Sequence, residues 1–128
     1  MVHYHSIVWI DHHKAVVWNF NDDAQAKSIV KSHDQHQRIH VRKSLHQGGH
    51  ETAEELQFFR DVSHALNGVE EIIVIGPAHA KDEFATFLKD KVPQIGAKVV
   101  AVETSDHPTD AQLLAYAHKH FKVLDRMI

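Results

Sequence analysis

No cysteine occurs among the 128 residues, which excludes disulfides, thiolate metal sites and cysteine nucleophiles and fits a reducing compartment. Three prolines and five glycines are too few for a low-complexity linker, so nothing marks a point where one domain gives way to another. A chain of this length is expected to form a single domain over residues 1–128 with a real core. No charged-then-apolar leader opens it, and no apolar run approaches the ~20 residues of a membrane span. The expectation is a cytoplasmic protein with no membrane partner. Charge of one sign is lacking too: 14 Lys and Arg against 17 Asp and Glu give a formal charge of -3, which neither demands nor forbids a polyanionic partner. A P-loop, a nucleophile elbow and a dinucleotide fingerprint are all missing, and "VIGPAHA" (74–80) has too few glycines to stand for one.

Histidine is what the chain has in excess, with fourteen. Because imidazole titrates near pH ~6.5, the net charge turns positive modestly below neutrality.

The apolar pattern divides the chain into alternating elements. "SIVWID" and "KAVVWNF" (6–11 and 14–20) are β-branched and aromatic runs separated by His12 and His13, which predicts two antiparallel strands joined by a tight turn. His12 and His13 read as turn filling, and His3 and His5 as the solvent side of the first strand. A weaker run over 25–32 predicts a third strand. Residues 33–50 are polar and histidine-rich without apolar period, hence a long loop. Thr52 with Glu55 forms a capping box, after which Leu56, Phe59, Val62 and Leu66 recur at helical spacing until Asn67-Gly68. "EIIVIG" (71–76) and "AKVVAVE" (97–103) are continuous apolar strands of the kind buried on both faces. Pro77 suits the first position of a helix whose inner face carries Phe84, Phe87 and Leu88. Thr109 with Gln112 caps a last helix that turns Leu113, Leu114, Ala117 and Phe121 inward. The order is βββαβαβα, which predicts an α/β fold: a mixed five-stranded sheet, three antiparallel strands followed by parallel βα units, with helices packed on it. Phe59, Phe84 and Phe121 are the expected core aromatics.

This is the order of the ribonuclease H-like group. Nucleases of that group hold two Mg²⁺ ions with carboxylates on strand ends. Asp11 ends the first strand, but the interiors "IIVI" and "KVVAV" offer no carboxylate, while Glu71 and Glu103 lie at their boundaries; nuclease chemistry is not expected. Asp106 and Asp110, around His107-Pro108, read as turn and cap residues at a helix N-terminus.

A narrower resemblance is carried by "IVWIDHHKAVVW" as the first hairpin, "GGHETAEELQFFRDV" as a loop-to-helix junction, and "EEIIVIGPAHAKDEFATFL" as strand, glycine turn and helix. Over most of its length the chain resembles the middle domain of archaeal and eukaryotic class I release factors, of Pelota-type ribosome-rescue factors and of small bacterial counterparts. In that family a Gly-Gly-Gln tripeptide at the same junction enters the peptidyl-transferase centre and promotes hydrolysis of peptidyl-tRNA. The matching positions here are Gly48, Gly49 and His50, so the glutamine is replaced. Paired glycines let the backbone approach a ligand without an intervening Cβ. The resemblance further implies that the backbone N–H at the third position stabilises developing charge, a donor His50 retains. A plain flexible hinge before a helix is the alternative reading of the same pair.

Lys31, Arg38, Arg42 and Lys43 against Asp34 make this region locally positive, which suits phosphate contacts. Arg38, Arg42, Lys43 and His46 are the candidate RNA-binding residues, and the ribosome, its RNA or peptidyl-tRNA the implied partner; DNA is not. The family's codon-reading and partner-binding domains have no counterpart in these residues, so stop-codon reading by this chain alone is not expected. His33, His36, His40, His46 and His50 raise a third reading, a metal-binding loop, but their spacing does not define a closed site. No metal and no cofactor is expected. Three readings stand: a release-factor-like domain acting on the ribosome, a non-catalytic RNA- or protein-binding module on the same fold, and a histidine-loop metal binder.

Overall fold

A computed structural model of the chain describes residues 5–21, 24–32 and 52–126. The elements run β1 (His5–Ile10), β2 (Lys14–Phe20), β3 (Gln25–Lys31), α1 (Ala53–His64), β4 (Glu71–Gly76), α2 (Ala80–Lys91), α3 (Pro93–Gly96), β5 (Val99–Thr104) and α4 (Asp110–Arg126). The strands form one five-stranded sheet in the order β3-β2-β1-β4-β5. β1 pairs antiparallel with β2 and β2 with β3, whereas β4 lies parallel to β1 and β5 parallel to β4. The mixed sheet expected from the sequence is the one observed.

Alternation along the central strands divides the core into two layers. Val8, Ile10, Ala15, Val17, Ile72 and Val74 face α1 and α2, meeting Phe58, Phe59, Val62 and Phe84. Ile7, Trp9, Phe20, Ile73 and Ile75 face α4, meeting Leu113, Ala117 and Phe121. β1 and β4 are central and apolar on both sides because both layers need them. Phe59, Phe84 and Phe121 are all buried.

Both capping boxes form. Glu55 N–H donates to Thr52 Oγ1 at 3.1 Å while Thr52 N–H donates to Glu55 Oε1 at 3.0 Å. Thr109 and Gln112 make the same pair of bonds at the start of α4. A polar clamp ties the hairpin to α1. Buried Ser6 donates to Asn19 Oδ1, and Asn19 Nδ2 donates to the Ala65 carbonyl at 2.8 Å.

Four expectations need correction. β5 is not buried on both faces: it closes the sheet at one edge, and Val100 and Val102 are exposed. The second helix begins at Ala80 with His79 as its cap, not at Pro77; the Asp82 and Glu83 N–H groups donate to the His79 carbonyl, so Pro77 and Ala78 belong to the turn leaving β4. A short helix, α3, occupies Pro93–Gly96, where none was anticipated. His5 does not face solvent: its ring packs 4.5 Å from that of Phe121 and pairs with Glu71 at 3.0 Å.

Candidate functional site

Two antiparallel steps make β3 parallel to β1, so β1, β3, β4 and β5 all end along the same side of the sheet. In open α/β sheets the crevice beyond the carboxyl ends of the strands is where ligands are bound. The residues on this side are Asp11 to Lys14 from the β1–β2 turn, Ser32 after β3, Gly76 to Glu83 from the β4–α2 connection and Ser105 to Pro108 after β5.

Asp11 shapes the first turn. Its Oδ1 accepts from the His13 and Lys14 N–H groups at 2.8 and 2.9 Å, and its own N–H donates to the Lys14 carbonyl at 3.0 Å. That is a turn role, and Glu71 lies at the far, amino end of β4. The fourth strand is held close: a Cβ on Gly76 would sit 2.2 Å from the Ile10 carbonyl oxygen. The Gly76 carbonyl accepts from Ser105 N–H at 2.8 Å, which brings the end of β5 alongside. Trp9 Nε1 then donates to the Asp106 carbonyl at 2.6 Å, and the His107 ring lies 5.0 Å from the indole.

His12 is more than turn filling. Its Nε2 meets Glu83 Oε1 of α2 at 3.0 Å, across 71 residues of sequence. The hydrogen bond to Glu83 raises the imidazole pKa above its ordinary 6.5; burial opposes this, and the charges of Glu83, Glu55 and Asp11 add to it. A histidine whose folded pKa lies above its unfolded value contributes stability that is fully present below pH ~6.5 and lost as pH rises through the folded value. With 48% of the His12 side chain exposed, the contribution is screened and falls within the ~0.2–1 kcal/mol of surface pairs. In a histidine NMR titration, His12 is expected to have a midpoint above 6.5 that falls in Glu83→Gln. Coincident midpoints in the two proteins would refute the pairing. Sequence reasoning missed this residue, because no local pattern links position 12 to position 83.

Ser32 and Thr52, the described residues on either side of 33–51, lie on this side of the sheet. Buried Ser32 donates its N–H to the His13 carbonyl at 2.8 Å, and Thr52 caps α1, whose Glu55 is felt at His12. The sequence-predicted site residues Gly48, Gly49, His50, Arg38, Arg42, Lys43 and His46 lie outside the described residues, as do His33, His36 and His40. Among the described residues, no group of three or more His, Asp or Glu side chains is placed to hold a metal ion, and no helix is long and apolar enough to cross a membrane.

No protein-family model matches the chain. Over 59 residues it is 41% identical to the Pelota homolog of Thermococcus kodakarensis, a stretch covering 41% of this chain and 16% of that protein. The Pelota homolog of Thermococcus onnurineus matches at 39% over the same length. Among solved structures, Thermoplasma acidophilum Pelota superposes with a TM-score of 0.57 at 22% identity, covering 88% of this chain and 31% of that one. The archaeal translation termination factor superposes with a TM-score of 0.61 at 12% identity, covering 89% and 33%. The chain thus spans 16% of the length of the curated relatives it matches. It shares its fold with both factors and is related in sequence to Pelota over 59 residues.

Proposed function

We propose that the chain binds the ribosome and promotes hydrolysis of peptidyl-tRNA through the loop that carries Gly48, Gly49 and His50. The observation that supports this reading most is the 41% identity to Pelota over 59 residues. It is joined by the placement of Ser32 and Thr52, the residues bracketing that loop, on the carboxyl side of the sheet beside His12 and Lys14. In this reading the paired glycines bring the backbone close to the ester linking peptide to tRNA. Water attacks the ester carbonyl, the His50 N–H stabilises the oxyanion, and the bond to the ribose oxygen breaks. The proton lost by water ends on that ribose oxygen. His50 supplies the backbone donor that glutamine supplies in the family, and its neutral imidazole positions water. Arg38, Arg42, Lys43 and His46 contact phosphates.

Release of labelled peptide from peptidyl-tRNA-loaded ribosomes tests the reading. Wild-type protein is expected to release peptide, Gly49→Ala to abolish release while still cosedimenting with ribosomes, and His50→Gln to match or exceed wild type. If wild type and His50→Gln both bind ribosomes and neither releases peptide, catalysis is wrong and the non-catalytic binding module takes its place.

A further inference from the structure

At the opposite end of α1 from Thr52, the C-terminal turns of α1 and α2 and the short α3 enclose a groove of about 540 Å³. α1 has 12 residues, so at ~1.5 Å per residue the groove lies roughly 18 Å from Thr52. Its floor is apolar, made by Phe87, Val92 and Ile95, and its rim carries Arg60, His64 and Lys91. The other lining side chains are uncharged, so among the described residues no carboxylate lines the groove. Among the described residues, Arg60, His64 and Lys91 show no ion pair or side-chain hydrogen bond.

Cations near helix C-termini usually serve the helix dipole, and His64 and Lys91 stand in last turns. Here several of the terminal carbonyls have backbone partners: Val62, Ser63 and His64 of the α1 end accept from Ala65, Leu66 and Asn67, and Leu88 of α2 accepts from Val92. The charged heads therefore remain available for a ligand, and Arg60 stands clear of the last turn. The groove is also fixed in shape. A Cβ on Gly96 would lie 2.8 Å from the Leu88 carbonyl, so α3 is seated directly on the end of α2. A net charge of -3 over the whole chain makes a rim of unpaired cations without a carboxylate a local concentration of positive potential.

We propose that this groove is a second RNA-binding site, with Arg60 and Lys91 contacting successive phosphates of a single strand and the apolar floor receiving a sugar or base face. The choice of RNA over an acidic peptide rests on the ribosome-directed reading above and on the floor, which suits the flat apolar surface of a nucleoside. A domain gripping RNA both here and at its loop would be held in one orientation on its target.

The test is fluorescence anisotropy with a labelled oligouridylate of about 12 nucleotides, titrated across a salt series. Arg60→Gln/Lys91→Gln is expected to weaken binding about tenfold and to flatten the slope of log K against log salt by about 1.4, two phosphates at roughly 0.7 each. Asn67→Asp/Gln94→Glu adds carboxylates to the rim and is expected to weaken binding in the same direction. Unchanged affinity and slope in both variants, no binding by wild type at low salt, or tighter binding of a polyglutamate peptide than of the oligonucleotide would overturn the proposal. Cosedimentation with ribosomes separates the two readings. Loss of ribosome binding with intact, Arg60- and Lys91-dependent oligonucleotide binding counts against ribosomal action alone, whereas ribosome binding with no role for the groove in either assay counts against the groove alone.

Discussion

Phe59→Ala is expected to lower the free energy of unfolding by about 3–5 kcal/mol, the usual cost of removing a buried phenylalanine ring. Phe59 is 2% exposed and sits at the centre of an aromatic cluster, with ring centroids 5.8 Å from Phe58, 5.5 Å from Phe84 and 5.6 Å from Phe87. Its neighbours belong to α1 and α2, which are themselves seated on a rigid sheet, so the cavity has little freedom to collapse. The loss combines transfer of the ring to water with the dispersion contacts its neighbours forfeit. Small domains have only ~5–15 kcal/mol in total, so the variant should unfold at much lower denaturant with an unchanged m-value. Ile29→Ala is the control. Ile29 is 53% exposed on β3, and its loss should stay within about 0.5 kcal/mol. Equal midpoints for wild type and Phe59→Ala would show that α1 does not pack through this face.

Gly76→Ala is the second large effect, and it acts by excess rather than by loss. The added Cβ would lie 2.2 Å from the Ile10 carbonyl oxygen, a backbone atom of the neighbouring strand that cannot swing aside as a flexible side chain would. β1 and β4 must part at their carboxyl ends. Overpacking of this kind costs about 1–3 kcal/mol and occasionally more, and contact with backbone puts this case at the upper end. The damage should also reach the site. Parting β1 from β4 separates the turn holding His12 from α2, which holds Glu83, so the His12 titration midpoint should fall along with stability. A Gly76→Ala protein that melts like wild type with an unshifted His12 would place this contact outside the folded state.

Much of this was legible along the chain. "SIVWI", "KAVVWNF" and "EIIVI" are β-branched and apolar enough to be strands in nearly any setting, and each was found where the pattern put it. Both capping boxes are contained within four residues, so local sequence suffices to define them. The glycine pair and His50 stood out by resemblance to a known loop, a signal that tells which residues to test and nothing of their surroundings.

What only the tertiary structure decided depends on partners distant in sequence. "VVAV" has the composition of a buried strand, yet β5 is half bare because β4 lies on one side of it and none of the described strands lies on the other; burial belongs to the order of strands, which no single strand encodes. His5 and His12 look alike in sequence, as polar residues at strand ends. One packs on Phe121 and the other bonds Glu83, contacts that exist only once α4 and α2 have docked. The groove of Arg60, His64 and Lys91 has the same origin. Chain propensity acts over a turn or a hairpin and is readable in order, whereas exposure, pKa and the convergence of charges depend on which elements the sheet brings side by side.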